Sequence, residues 1–146
     1  MKSGSDLLYL DSSALVKLVS EELETKALRA FAEAWPHHVS SSLSRLEVLR
    51  TVRRRIAVAR RGAADRTAAE AMLDRAEAMF ARISLTPIDA AVLDRAARLD
   101  PPFLRALDAI HLATALSLAG VANFVAYDAR LADAARLAGL AAFTPV

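Results

Sequence analysis

The stretch Leu7-Leu8-Tyr9-Leu10-Asp11-Ser12-Ser13 decides the fold. Its four leading residues make a short, unbroken apolar run, as in a parallel strand covered on both faces. The run ends on an acid. Ser12-Ser13 then open a helix expected to reach about Val19.

The same rhythm continues outward from this stretch. Glu22 to Trp35 carries Leu23, Ala27, Ala30, Phe31 and Ala34 at a helical period, and Pro36 stops it. His37-His38-Val39 reads as a second strand. Ser40-Ser41-Ser42 leads into a long helix to about Arg61, Gly62 marks a turn, and Asp65 to Ala81 reads as another helix. Ile83 to Thr86 is a third strand. Asp89 caps a helix to about Leu99, and Pro101-Pro102 break the chain before a helix to about Ser117. Phe124 to Tyr127 is a fourth strand. Asp128 starts a helix to about Ala138, Gly139 ends it, and Ala142 to Thr144 forms a short last strand. Short apolar strands alternating with helices predict one α/β domain over residues 1–146, with a parallel sheet. In open sheets of this kind, sites gather beyond the carboxyl ends of strands. Asp11 and Asp128 each follow a predicted strand.

Composition narrows the chemistry. The chain has 146 residues, no cysteine, and a formal net charge of +2. Hydrophobic residues are 55% and charged residues 25%, which fits a folded domain with a real core. Without cysteine there is no disulfide scaffold, no Cys-ligated zinc and no thiol nucleophile. The basic excess is local: from Arg45 to Arg61 only Glu47 opposes seven arginines. Such a run suits a polyanion or acidic partner, or a solvated face that includes Arg50, Arg53, Arg54, Arg60 and Arg61.

No signal-peptide core follows the polar residues Met1 to Asp6, so a cytoplasmic protein is expected. Residues 109–127 lack Asp, Glu, Lys and Arg, a length that could cross a bilayer. However, His111, Thr114, Ser117, Gly120 and Asn123 interrupt it. A buried helix, a turn and a buried strand are expected instead, with no membrane role.

Several catalytic templates fail. The glycines at 4, 62, 120 and 139 make neither a dinucleotide loop nor a P-loop, and no G-x-S-x-G elbow exists. The three histidines form no H-E-x-x-H zinc pattern. Carboxylates remain: Asp11, Glu47, Asp108 and Asp128. Mg²⁺ and Mn²⁺ prefer such hard oxygen ligands. A carboxylate cluster can hold one or two of these ions to activate water at a phosphodiester. Each acid also has a structural reading. Asp11 and Asp128 fit helix N-caps. Ser44-Arg45-Leu46-Glu47 fits a capping box. Asp108 differs, because Leu104, His111, Leu112 and Ala115 share its helix face. A carboxylate there is costly unless paired or bound to a cation, and Arg105 is the one basic residue within a turn. His111 fits a satisfied core or rim histidine better than a ligand.

The four acids in this order and context resemble the PIN-domain nucleases, and within them the VapC-type toxins of bacterial toxin–antitoxin pairs. The resemblance rests on Leu10 to Leu18, Ser40 to Glu47, Leu107 to Ala115 and Val125 to Leu131. It implies a helix-rich, three-layer α/β/α sandwich with a short parallel sheet. It implies a Mg²⁺- or Mn²⁺-dependent endoribonuclease with Asp11, Glu47, Asp108 and Asp128 as catalytic, metal-binding acids. It further implies a homodimer held inactive by a small antitoxin, in a heterotetramer or larger assembly. The helices Ser42–Arg61 and Asp65–Ala81 are then the groove candidates. Ser12 or Ser13 would hydrogen-bond the site, and Arg50 or Arg130 would hold phosphate. One departure stands out: many relatives carry a hydroxyl two positions before the fourth acid, where this chain has Ala126, which implies a thinner shell around the metal.

The alternative is a non-catalytic nucleic-acid or partner-binding module on the same fold, with the acids as caps. Degenerate members of the family usually lose one or more acids, and all four are present here. A related enzyme acting on DNA or a phosphate ester is a second alternative, separable by competition between RNA and DNA at fixed salt.

Overall fold

In a computed structural model, residues 6–59 and 63–146 are described. The expectations for Met1–Ser5, Arg60, Arg61 and Gly62 lie outside them. Strand β1 (Leu7–Leu10) runs through the middle of the molecule. Its side chains alternate, as the pleat requires. Leu8 and Leu10 enter one core, and Tyr9 enters the other.

The remaining elements are α1 (Ser12–Val19), α2 (Thr25–Glu33), β2 (His37–Ser41), α3 (Ser42–Val58), α4 (Ala63–Phe80), β3 (Ser84–Thr86), α5 (Ala90–Ala97), α6 (Ala106–Ser117), β4 (Val121–Val125), α7 (Ala129–Leu137) and β5 (Ala141–Phe143). Five strands pair in parallel in the order β3-β2-β1-β4-β5. Helices α1 to α4 cover one face, where Leu15, Leu28, Val48, Val52 and Ala76 meet Leu8, Leu10 and Val125. On the other face Leu112 and Ala115 of α6 and Leu131 and Ala135 of α7 meet Tyr9, Val39 and Phe124. Tyr9 and Phe124 stack with ring centroids 5.0 Å apart. The expected helix-rich, three-layer α/β/α architecture is therefore present.

Chain order along the sheet reverses at β1. The first three strands step outward to one side, and β4 and β5 build on the other. A crevice forms beyond the carboxyl edge at such a switch point. Asp11 stands there, its backbone N–H bonded to Val125 O at 3.1 Å.

Some boundaries move. The second helix starts at Thr25 rather than Glu22. The Thr25 hydroxyl donates to the carbonyls of Lys17 and Ser20 and accepts the Glu22 N–H, which fixes residues 20–25 as a turn. The helix ends at Glu33, because Pro36 disfavours helical geometry at Trp35. Strand β2 continues through Ser40 and Ser41, which pair with Leu85 and Thr86. The fourth strand spans Val121–Val125, not Phe124–Tyr127. Its register is set by pairing with β1 from Leu7 to Leu10. Beyond it the Tyr127 N–H donates to Ser13 Oγ and turns the chain toward α7. Asp128 thus lies after a short loop rather than directly after a strand.

The uncharged run 109–127 is α6, a turn and β4. Gly120 makes that turn at φ +88°, a conformation that favours glycine. Among the described residues no helix is long and apolar enough to cross a membrane.

Glu22 ties three elements together. It accepts from Lys17 Nζ at 2.7 Å, Ser20 Oγ at 2.7 Å and Arg55 Nη2 at 3.1 Å. Burial works to raise its pKa, but these donors prevail and hold the carboxyl at about 2. A depressed carboxyl contributes stability above its ordinary value of 4.5 and loses it as pH falls toward 2. Glu22→Gln should therefore cost about 1–3 kcal/mol at pH 7. Urea denaturation at pH 7 and near pH 2.5 should show that difference shrinking toward zero in acid.

Candidate active site

In a parallel sheet, the helix after a strand begins at the sheet's carboxyl edge. Helices α1, α3 and α7 each follow a strand and start on this edge, and α6 starts beside them, because Arg105 at its N-cap reaches Asp128 at the N-cap of α7. Their partly positive N-termini therefore gather around one cleft and favour carboxylates there. Asp11 is the N-cap of α1, Asp108 lies in the first turn of α6, and Asp128 is the N-cap of α7. Glu47 projects from the second turn of α3. The cleft, about 490 Å³, is lined by Ser12, Ser13, Glu47, Arg105, Tyr127 and Asp128 among others.

Asp11 is buried behind Ser13. It accepts from Ser13 Oγ at 2.7 Å and from the Ala14 N–H at 2.9 Å. Burial pushes its pKa up to about 6. The charge of Asp108 adds to that rise, while His111, Ser13 and Ala14 oppose it. Asp11 is thus both a cap and a carboxylate under electrostatic pressure.

Glu47 does not close a capping box. The N-cap of α3 is Ser41, which accepts from the Leu43 N–H, and Ser44 lies inside the helix, bonded to Ser40 Oγ at 2.6 Å. Glu47 Oε1 instead receives Ser12 Oγ and lies 2.8 Å from His111 Nε2. Burial works to raise its pKa, but hydrogen bonds from His111 and Ser12 keep the carboxyl below its ordinary value. His111 is 2% exposed, and its Nδ1 lies 2.8 Å from the Tyr9 hydroxyl. An ionised Glu47 only accepts, so Nε2 carries the proton toward it. In the neutral ring Nδ1 then accepts from Tyr9. The same Tyr9 oxygen accepts the Ser41 N–H at 3.1 Å, and burial holds the phenol protonated by raising its pKa. This chain of bonds fixes Glu47 from beneath.

Asp108 and Asp128 share one cation. Arg105 donates from Nε to Asp108 Oδ2 and from Nη2 to Asp128 Oδ2, each at 3.3 Å. Asp128 also caps α7 through the Arg130 and Leu131 N–H groups at 2.9 and 3.1 Å.

The site therefore gathers all four acids around the switch point, in unequal settings. As placed, no three acidic or imidazole side chains among the described residues stand close enough to enclose an ion. The donor chemistry nonetheless suits a hard divalent cation. Asp11 and Asp108 repel each other, and Asp108 and Asp128 already require a shared counter-charge.

From sequence Arg105 is a neighbour of Asp108, and Arg50 or Arg130 is the expected phosphate ligand. Of these, Arg105 is the one that lines the cleft; Arg130 borders a separate apolar pocket with Phe103 and Leu137. Tyr9 was hidden in an apolar run. The Ser40–Ser44 cluster was the available signal, since serines packed between a buried strand and a helix need partners. Part of the arginine run works inside the molecule: Arg45 pairs with Glu77 at 3.1 Å and lies over Phe80, and Arg55 pairs with Glu22. At Ala126 the backbone oxygen accepts from Thr144 Oγ1 at 2.8 Å, and the methyl is fully buried. The hydroxyl nearest Asp11 comes from Ser13 instead.

Comparison with known proteins agrees with this geometry. The PIN domain family model matches residues 8–137. Ribonuclease VapC46 of Mycobacterium tuberculosis is 41% identical over 139 residues, covering 94% of this chain and 97% of that protein. Ribonuclease VapC35 of the same species is 37% identical over 147 residues, covering 95% and 97%. Ribonuclease VapC47 is 33% identical over 144 residues at the same coverage. With the acids clustered at the switch point of a five-stranded parallel sheet, and with similarity running almost end to end, the chain belongs to the PIN-domain family and, within it, to the VapC ribonucleases.

Proposed function

We propose that this protein is a Mg²⁺- or Mn²⁺-dependent endoribonuclease that acts as the toxin of a toxin–antitoxin pair. The observation that carries this reading is the electrostatic state of the cleft. Asp11 is buried beside Asp108, and Asp108 and Asp128 are joined through one guanidinium.

Asp11, Glu47, Asp108 and Asp128 would hold the ion, which when bound supplies a water of lowered pKa and charge stabilisation for the leaving oxygen. The chain's own residues do the rest. Ser13 and the Ala14 N–H fix the orientation of Asp11. Ser12 and His111 hold Glu47 ionised at the cleft wall. The open cleft admits an RNA backbone, with Arg105 on its wall as a cation for phosphate. Hydrolysis places water oxygen on phosphorus and breaks its bond to the 3′ oxygen, leaving a 5′-phosphate.

Exposed apolar surface supports the reading of two partners. Val58 and Leu46 are exposed apolar residues on α3, which suits an antitoxin segment docked along α3 and α4. Phe103 and Leu137 are exposed beside an apolar pocket, which suits burial against a second copy in a homodimer.

The test is RNA cleavage by purified, antitoxin-free protein in Mn²⁺ and in EDTA, with melting curves alongside. Cleavage should require the metal. The melting temperature should rise with Mn²⁺, equivalent to about 2.7 kcal/mol at a hundredfold excess over the dissociation constant. A flat melting temperature with no cleavage across a broad RNA panel would sink the metal mechanism and leave the binding-module alternative.

A further inference from the structure

Two cations line the cleft, and they differ in how firmly they are held. Lys17 is half-buried and donates to Glu22 at 2.7 Å and to Glu24 at 3.1 Å. Its partners lie on the turn before α2, so its charge is consumed there. Arg105 is 69% exposed. It reaches two carboxylates on different helices, through two different nitrogens, each at 3.3 Å. Neither contact is bidentate, and long exposed ion pairs of this kind contribute little. Arg105 also stands at the N-cap position of α6 without making a side-chain cap bond. Its backbone carbonyl accepts the Ala109 N–H at 2.8 Å, while its exposed guanidinium is held by these two long contacts.

The acids it bridges are better suited to another partner. A divalent cation brings twice the charge to the same oxygens and can hold carboxylates from several elements at once. Bound there, it would remove the attraction that keeps the guanidinium between Asp108 and Asp128. The released group would remain on the cleft wall, tethered at the N-cap of α6. A guanidinium is planar and presents paired donors, which matches two oxygens of a phosphate better than two separate carboxylates.

We propose that Arg105 is an exchangeable internal counter-ion: it occupies Asp108 and Asp128 in the metal-free protein, yields them to the divalent cation, and then holds the RNA phosphate being cut. This rests on the ribonuclease reading above and assigns a residue to the substrate side of that site.

The exchange predicts opposite effects on two measurements. Arg105→Gln removes the competing charge, so the Mn²⁺ dissociation constant, measured by titration calorimetry without RNA, should tighten by at least about threefold. At saturating Mn²⁺ the same variant should lose at least about tenfold in kcat/KM on RNA. Arg105→Lys, which keeps charge but lacks the paired donors, should restore most of the wild-type Mn²⁺ affinity and recover little of the cleavage. A purely structural brace would weaken both together. Unchanged or weaker Mn²⁺ binding in Arg105→Gln would overturn the exchange, as would full cleavage by that variant. Wild-type protein that neither binds Mn²⁺ nor cuts RNA would remove the ribonuclease reading itself and the exchange with it.

Discussion

Asp108→Asn is expected to lower RNA cleavage in Mn²⁺ by more than ~100-fold while leaving the fold intact. Changing a residue that merely orients a metal ligand already costs about 10–100-fold. Asp108 is proposed as a ligand itself, so its loss should exceed that. The substitution is nearly isosteric, and the residue sits in the first turn of α6 with its side chain 19% exposed. It gives up one long contact with Arg105 and relieves the repulsion that helps raise the Asp11 pKa. The metal-free melting temperature should therefore move little. Single-turnover cleavage and a circular-dichroism melt on the same preparation check both parts. A normally folded variant that cuts RNA at the wild-type rate would place Asp108 outside the site.

His111→Ala should produce the largest loss of stability. The ring is 2% exposed and lies between the Tyr9 hydroxyl and Glu47. Its removal opens a cavity in the core and takes away the ring nitrogen 2.8 Å from the buried Tyr9 hydroxyl. Cavity formation together with an unsatisfied buried hydroxyl puts the cost at about 2–5 kcal/mol. For a domain of this size each kcal/mol lowers the melting temperature by about 2–4 °C. Chemical denaturation in the absence of metal should register this fully, since the network acts in the metal-free protein. A loss under about 1 kcal/mol would mean that Tyr9 and Glu47 find other partners. The pairing of Ser12 with Glu47 would then be the stronger of the two supports.

The two variants separate the two duties of α6. Asp108, in the first turn, meets Arg105 at the cleft wall. One turn later His111 faces inward toward the sheet. The helix exposes one polar residue to chemistry and buries the next beneath it. Asp108 is the only charged residue on this helix, and its helix face is otherwise mostly apolar, which is why it stands out as a carboxylate needing a partner.

Much of the architecture was legible in the sequence because it is written locally. Leu7–Leu10 gave β1 and Ser12–Val19 gave α1 with the observed bounds, since an apolar run ending on a cap is a short-range pattern. Asp89, Asp128 and Gly139 marked helix ends for the same reason. Errors arose where a distant partner set the limit. The fourth strand was placed too late because its register is fixed by β1, more than a hundred residues earlier. The second helix is shorter than its periodicity predicts, because Glu22 is claimed by Lys17 and Arg55 rather than by a helix turn.

The site divides along the same line. Sequence alone determined that Asp11 and Asp128 follow strands in an α/β chain, that Glu47 and Asp108 lie on helices, and that Asp108 is costly on its apolar face unless paired or bound to a cation. Tertiary structure decided which groups answer them. Glu47 turns to Ser12 and His111, contacts separated by 35 and 64 residues, so the capping box suggested by Ser44 does not form. Arg105, read from sequence as a neighbour of Asp108, also reaches Asp128 23 residues away and joins the two. The physical reason is one of range. Periodicity and capping depend on residues within a turn or a strand and can be read in order. Charge pairing depends on which helix starts become neighbours, and that is fixed only when the strands choose the order β3-β2-β1-β4-β5.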